Sequence, residues 1–249
     1  MPKKTKKIVT QAEKIRNRDS RIKTLRIGLL ALLMFLIILY FLLNLYYAGG
    51  PFTVILDQDL TRDKGIILFE NLNERLPRMI LAADRPEYMT NISIHWLPDN
   101  IGTESEGGNH NGEDYLAYTF FLENLGLETH YWYTIVIDEV LQNVDESVRV
   151  MVYMNGERTV YAKMGRNGEP EPGTVPFHSE EFIVMQRREN MRPGDVDRFT
   201  IVIWIEGDDP DTRDEMIGGA MRMHMRFTSQ PISPGSQNNA NNEENGNGE

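Results

Sequence analysis

Five carboxylates fall close together at Asp208, Asp209, Asp211, Asp214 and Glu215, within the stretch "EGDDPDTRDE". Closely spaced carboxylates are the raw material of a Ca²⁺ site, because a hard cation takes about six to eight oxygen ligands. The repeating Asp-x-Asp-x-Asp-Gly loop with a closing Glu is absent, so no known calcium loop is spelled out. The simpler reading is a solvated turn that keeps charge off a sheet. Its carboxylates would pair with Arg213 or with the arginines of the segment that follows. Ca²⁺ is the one cofactor this stretch raises.

Other chemistry is thinly represented. The five histidines, His95, His110, His130, His178 and His224, never stand three or four positions apart, so no local zinc pair exists. There is no cysteine, which removes disulfides, thiolate metal sites and cysteine nucleophiles. No Gly-x-Ser-x-Gly elbow, phosphate loop or dinucleotide fingerprint occurs. Glu180-Glu181 and the Glu70/Glu74 pair could be imagined as the two acids of glycoside hydrolysis. In so acidic a chain such pairs carry little information. The expected class is therefore not an enzyme, and no catalytic residue is assigned.

A binding role has one better candidate. Tyr131, Trp132 and Tyr133 are consecutive, and neighbours on a strand point to opposite faces. The three cannot all enter a core, so Trp132 is the residue to test as a ligand contact. The remaining aromatics, Tyr115, Tyr118, Phe120, Phe121 and Trp204, read first as filling between sheets.

Strands must carry these residues. "YLAYTFFLEN" from Tyr115 and "HYWYTIVID" from His130 are dense in aromatic and β-branched residues, with a Gly-containing turn between them. "VRVMVYMNGERTVYA" reads as a hairpin whose Asn155-Gly156 suits a type I′ turn. That register sets Val152 opposite Thr159 and Val150 opposite Tyr161. In "FTIVIWIE", Phe199, Ile201, Ile203 and Ile205 share one face while Thr200, Val202 and Trp204 share the other. Both faces are largely apolar, which predicts a central strand. Met221, Met223, Met225 and Phe227 alternate with Arg222, His224 and Arg226, predicting one buried face and one wet, basic face. Shorter strand candidates are "PFTVIL", "GIILFEN", "RMILAA" and "NISIHWL", and "FHSEEFIVMQR" returns to strand. A short helix is expected near residues 70–81, and residues 84–88, 101–114 and 165–176 read as loops. The pattern predicts a mainly β domain over residues 50–228: an antiparallel β-sandwich, immunoglobulin-like or jelly-roll-like.

One transmembrane helix is expected before it. Residues 27–47, "IGLLALLMFLIILYFLLNLYY", carry no charge and would span ~31 Å as a helix, enough for a bilayer core. Residues 1–26 hold ten Lys/Arg against Glu13 and Asp19, a net charge of +8, while residues 27–249 are net −19. A basic flank stays in the cytoplasm, so the acidic domain is expected outside the cell membrane. The run exceeds a usual signal h-region, and Tyr46 disfavours cleavage near Ala48, so an uncleaved signal anchor is expected. The lipid bilayer is thus the first partner, through residues 27–47. An acidic domain repels phosphate, which argues against nucleic acid. Residues 229–249 are nearly devoid of apolar side chains and are expected to be disordered.

The tyrosine-rich strand with "ENLG", the "TIVIWIEGDDPD" strand and turn, and the final "GGAMRMHMRF" behind an N-terminal membrane signal resemble the TasA/camelysin-type exported β-sandwich proteins of Gram-positive bacteria. The resemblance covers about residues 110–228. It implies a role in extracellular matrix or fibres. Peptidase activity has also been described in that family, but no His-Glu-x-x-His stands here to support it. The retained anchor also departs from free fibre assembly. The expected function is a membrane-anchored structural or interaction protein serving matrix, adhesion or surface assembly. Its partners would be further copies of itself, an envelope protein or a glycan. The alternative is an extracellular calcium- or carbohydrate-binding module.

Overall fold

A computed structural model describes residues 25–42, 50–86, 89–103 and 106–232. The basic segment 1–24, the end of the apolar run at 43–49 and the C-terminal segment 233–249 lie outside the described residues. The chain divides into two compact units, residues 1–49 and 50–249.

The first unit contains helix α1, Leu25–Leu42, whose 18 residues bury none of their apolar side chains. At ~27 Å it is long enough to serve as a membrane anchor or as a secretion signal.

The second unit is a two-sheet β-sandwich. In chain order it consists of β1 (Phe52–Leu56), helix α2 (Gln58–Lys64), β2 (Ile66–Phe69), β3 (Ile80–Ala82), β4 (Asn91–Ile92), β5 (Gly108–Asn109), β6 (Tyr115–Asn124), β7 (Thr129–Leu141), β8 (Val148–Met154), β9 (Glu157–Ala162), β10 (Val175–Pro176), β11 (Phe182–Met191), β12 (Val196–Glu206) and β13 (Ala220–Thr228). The five-stranded sheet runs β11-β7-β13-β1-β3. The eight-stranded sheet runs β10-β9-β8-β12-β6-β2, with β4 beside β12 and β5 beside β6. Most pairs are antiparallel; β1/β13, β9/β10 and β4/β12 are parallel.

Alternation explains the main core. Phe120 of β6 stacks on Phe199 of β12 at 5.5 Å between ring centres, and Phe227 of β13 meets Phe199 edge-on at 5.3 Å. Tyr131 and Tyr133 enter the same layer from β7, while Trp132 points the other way and is half-buried. Such aromatic contacts add about 0.5–1.5 kcal/mol each beyond the area they bury. β12 is central, between β8 and β6, as its two apolar faces require. Its isoleucines face the sandwich interior. Val202 and Trp204 face a second, smaller core with Ala117, Met151, Ile92 and Leu97. The segment around β4 therefore covers the outer face of the larger sheet.

The β8–β9 hairpin has the expected register, with Val152 opposite Thr159 and Val150 opposite Tyr161. Asn155 and Gly156 have φ of 52° and 90°, the positive values a type I′ turn demands. In β13 the methionines and Phe227 pack inward and the Arg/His residues outward, as the alternation predicts.

Four local expectations differ. β5 and β10 fall within residues 101–114 and 165–176, both expected to be loops. Where a helix is expected near residues 70–81 the chain makes one turn at residues 72–74, a bridge from Arg78 to Leu68 and the start of β3, and the helix lies earlier, at α2. With Leu60 its sole buried residue, α2 is too short to show a helical period, and Gly65 stops it at φ 75°. "NISIHWL" gives a two-residue strand followed by a 3₁₀ turn at Ile94–Trp96. There the Ser93 hydroxyl accepts from the His95 N–H, a local bond that competes with the ladder.

Candidate functional site

The acidic stretch follows β12 as a turn, and the fold splits its five carboxylates. Asp208 accepts a 2.5 Å hydrogen bond from the Ser93 hydroxyl. Asp214 and Glu215 are exposed in the 3₁₀ turn Asp214–Met216. Asp209 turns inward instead. Its Oδ1 accepts the Asp211 N–H at 2.7 Å, which fixes a tight side-chain turn, and its carboxylate is fully buried.

Asp209 and Asp211 meet a third acid from far along the chain. Glu171, in the loop that leads to β10, brings an oxygen within 4.8 Å of theirs. Arg149 of β8 stands among them with its side chain 4% exposed. It bonds to Asp209 at short range and lies 3.6 Å from Glu171. The Asp211 carboxylate also accepts the Arg166 N–H at 2.9 Å, and the Arg166 Nε donates to Glu146 at 2.8 Å. Thr212 donates to the Glu206 carbonyl at 3.0 Å and lies 2.9 Å from the Ser147 hydroxyl. Three surface segments are thus laced to one end of the larger sheet.

The electrostatics are unbalanced. Three carboxylates face one guanidinium, so the group carries two surplus negative charges when fully ionised. Burial pushes the Glu171 carboxyl up, Asp209 adds to that, Arg149 opposes it and Asp211 adds a little more. Two arrangements relieve such a surplus: a proton on Glu171 or a cation among the oxygens. The oxygen donors suit a hard cation such as Ca²⁺, while Arg149 repels one.

Sequence spacing brought Asp209 and Asp211 into view but missed Glu171 and Arg149. "GRNGEPEPGTVP" shows only a loop. Arg149 sits in an alternating strand, where an arginine reads as solvent-facing. One signal was available: Arg149 shares its face with Met151, and it lies opposite Trp204 in the ladder.

The other sequence candidates lie apart from this group. Trp132 stands on the outer face of the five-stranded sheet, in register with Arg187 of β11 and Thr228 of β13. His224 pairs with Asp138 at 2.9 Å, and His110 lies 3.0 Å from the Thr119 hydroxyl. Burial, helped by Arg198, pushes the His110 imidazole down. Glu70 accepts from the Tyr118 phenol at 2.7 Å, and Glu180 lies 3.2 Å from Lys163. A second buried acid, Asp197, accepts from Tyr131 and Asn155, each at 2.7 Å, and from Arg188 at 3.2 Å.

No protein-family model and no curated protein matches the chain. Among solved structures it is similar to a beta-glucosidase from Kluyveromyces marxianus in complex with glucose, at 13% identity and a TM-score of 0.25. That match covers 68% of this chain but 16% of the glucosidase. The GH31 alpha-xylosidase of Xanthomonas citri matches at 8% identity and a TM-score of 0.22, over 68% of this chain and 16% of its own. Similarity this low carries no argument about activity.

Proposed function

We propose that the protein is a membrane-anchored surface protein of structural or interactive function, serving matrix, adhesion or assembly at the cell envelope. On this reading α1 holds it in the cell membrane, the basic N-terminal segment is cytoplasmic and the acidic sandwich faces outward. The charge split across the apolar run supports that orientation. The resemblance to TasA/camelysin-type proteins points the same way.

One observation carries the interactive role. β11 ends the five-stranded sheet, is ten residues long, and has β7 as its one strand partner among the described residues; beyond β7 its first two carbonyls accept from the Ser179 and His178 N–H groups, which leaves the stretch from Val184 onward as the edge. A strand edge of that length is a template for a further strand. Gln186, Arg187 and Glu189 are exposed along it, so pairing would be selective for a polar strand. Glu189 has no partner in the β7 ladder, so Glu189→Pro blocks added strands while sparing the existing ones. The parent should associate with rising concentration, and the variant should stay monomeric with an unchanged melt. A parent that stays monomeric at high concentration and binds no envelope component would refute the proposal.

A second reading rests on the carboxylate group. Glu171, Asp209 and Asp211 would make the sandwich a calcium-binding module. Calcium at about 100 times its dissociation constant would then stabilise the fold by ~2.7 kcal/mol. An identical melt in calcium and in chelator removes this reading.

A further inference from the structure

We propose that β11 pairs antiparallel with the β11 of a second copy of this chain, across a two-fold axis at Arg188, so that Arg187 of each copy stands opposite Glu189 of the other. The inference rests on the self-association reading above and deepens it by naming the partner strand and its register.

Bonds elsewhere in the sheet fix which backbone groups face the free edge. The Met223 N–H donates to the Pro51 carbonyl and the Phe227 carbonyl accepts from the Asp57 N–H, so these residues of β13 turn away from β7. His224, Arg226 and Thr228, between and after them, turn toward β7 and bond to Val136, Thr134 and Trp132. Ile135, Tyr133 and Tyr131 are thereby turned toward β11, opposite Val184, Gln186 and Arg188. The Ile137 N–H, which donates to the Glu181 carbonyl, follows the same alternation. Both backbone groups of Met185 and Arg187, and the N–H of Glu189, are left pointing off the sheet. No neighbouring strand takes them among the described residues, and a further strand would.

Length and charge select the occupant. The strands at the other sheet ends, β3, β10 and β2, have three, two and four residues. Within a second copy, β11 itself is the edge that matches, and identical edges meet across a two-fold axis. Outward-facing residues must oppose outward-facing ones, which restricts the register. Two registers use most of the free stretch from Val184 onward. With the axis at Arg187, Arg187 opposes Arg187 of the second copy. With the axis at Arg188, Arg187 opposes Glu189 on both sides of the axis. Opposite charges directly across a ladder stabilise it and like charges destabilise it, so the second register is favoured. Arg187 and Glu189 already pair at 3.0 Å within one chain, and two copies close them into a ring of alternating charges. Arg188, at the axis, is held by its own Asp197 at 3.2 Å. The Glu189 carbonyl accepts from the Arg188 guanidinium and keeps a second lone pair for the Arg187 N–H of the other copy.

The test uses the full-length chain in detergent micelles, with association read by resonance energy transfer between donor- and acceptor-labelled copies. Arg187→Glu alone and Glu189→Arg alone each set like charges opposite one another on both sides of the axis, and each should weaken association roughly tenfold. An equimolar mixture of the two single variants should associate as well as the parent, because every reversed charge then meets its opposite. The double variant, Arg187→Glu with Glu189→Arg, should recover in the same way. Melting points should stay near the parent's, since both positions are exposed and an exposed ion pair contributes little. A parent that associates while both single variants associate equally well would overturn the inference and leave self-association standing. A weakened Arg187→Glu beside an indifferent Glu189→Arg would overturn the register, as would a mixture that associates no better than its components. A parent that stays monomeric would overturn the self-association reading and this dimer with it.

Discussion

Arg149 is buried between two acids, and removing its charge should be costly. Arg149→Met keeps much of the stem and removes the charge that faces Asp209 and Glu171. Asp209, fully buried, is left with its turn N–H and no counter-charge. Breaking one half of a buried ion pair costs about 3–5 kcal/mol. For a domain of this size each kcal/mol moves the melting point by ~2–4 °C, so the variant should melt roughly 6–20 °C lower. Adding Asp209→Asn removes the stranded charge and should restore roughly 1–3 kcal/mol, a coupling a double-mutant cycle reads directly. The deficit should also depend on pH. Glu171 is raised in the folded state by burial first and Asp209 next, and Arg149 is the group that holds it down. A carboxyl raised on folding favours the fold below its unfolded pKa, and that contribution is lost as pH rises through the folded value. Removing Arg149 raises Glu171 further, so the deficit should be larger near pH ~8 than near pH ~4.5. The assay is urea unfolding of the parent and both variants at the two pH values. An Arg149→Met variant as stable as the parent, or a deficit indifferent to pH, would refute the clamp.

Three further outcomes rest on single contacts. Tyr131→Phe deprives the buried Asp197 of a phenol donor at 2.7 Å and should cost about 1–3 kcal/mol in urea unfolding. Gly156→Ala places a side chain at φ 90° with open space around it, so backbone strain alone should cost about 1 kcal/mol, read as a lower melting point. Trp132→Ala removes a half-buried side chain from an outer sheet face. It should move the melt by less than about 2 kcal/mol while reducing retention on purified cell envelope, measured by co-sedimentation.

The long strands were legible because their physics is local. β13 alternates along its nine residues, β6, β7 and β12 are long runs dense in aromatic and β-branched residues, and Asn155-Gly156 fixes the hairpin register without outside help. β4, β5 and β10 have two residues each and exist because a neighbouring strand offers an edge, which no periodicity records. Trp204 was legible as buried, but its place in a second core depends on a covering segment some hundred residues earlier in the chain. The same holds for the carboxylate group. Asp209 and Asp211 stand two positions apart in sequence, whereas Glu171 and Arg149 join them through tertiary folding alone. The five acids looked like one set because spacing along a loop is visible, while the direction each side chain takes is decided by partners elsewhere.

Light scattering over a concentration series tests the central claim most directly. The fragment 50–249 suits it, since the thirteen strands and both cores of the described residues lie within it. A protein built to assemble at the cell surface should grow into oligomers as concentration rises, and Glu189→Pro should abolish that growth. Addition of calcium would raise it only if the Glu171, Asp209 and Asp211 oxygens hold the ion. A fragment that remains monomeric at every concentration, with or without calcium, and that leaves purified envelope unbound would contradict the account.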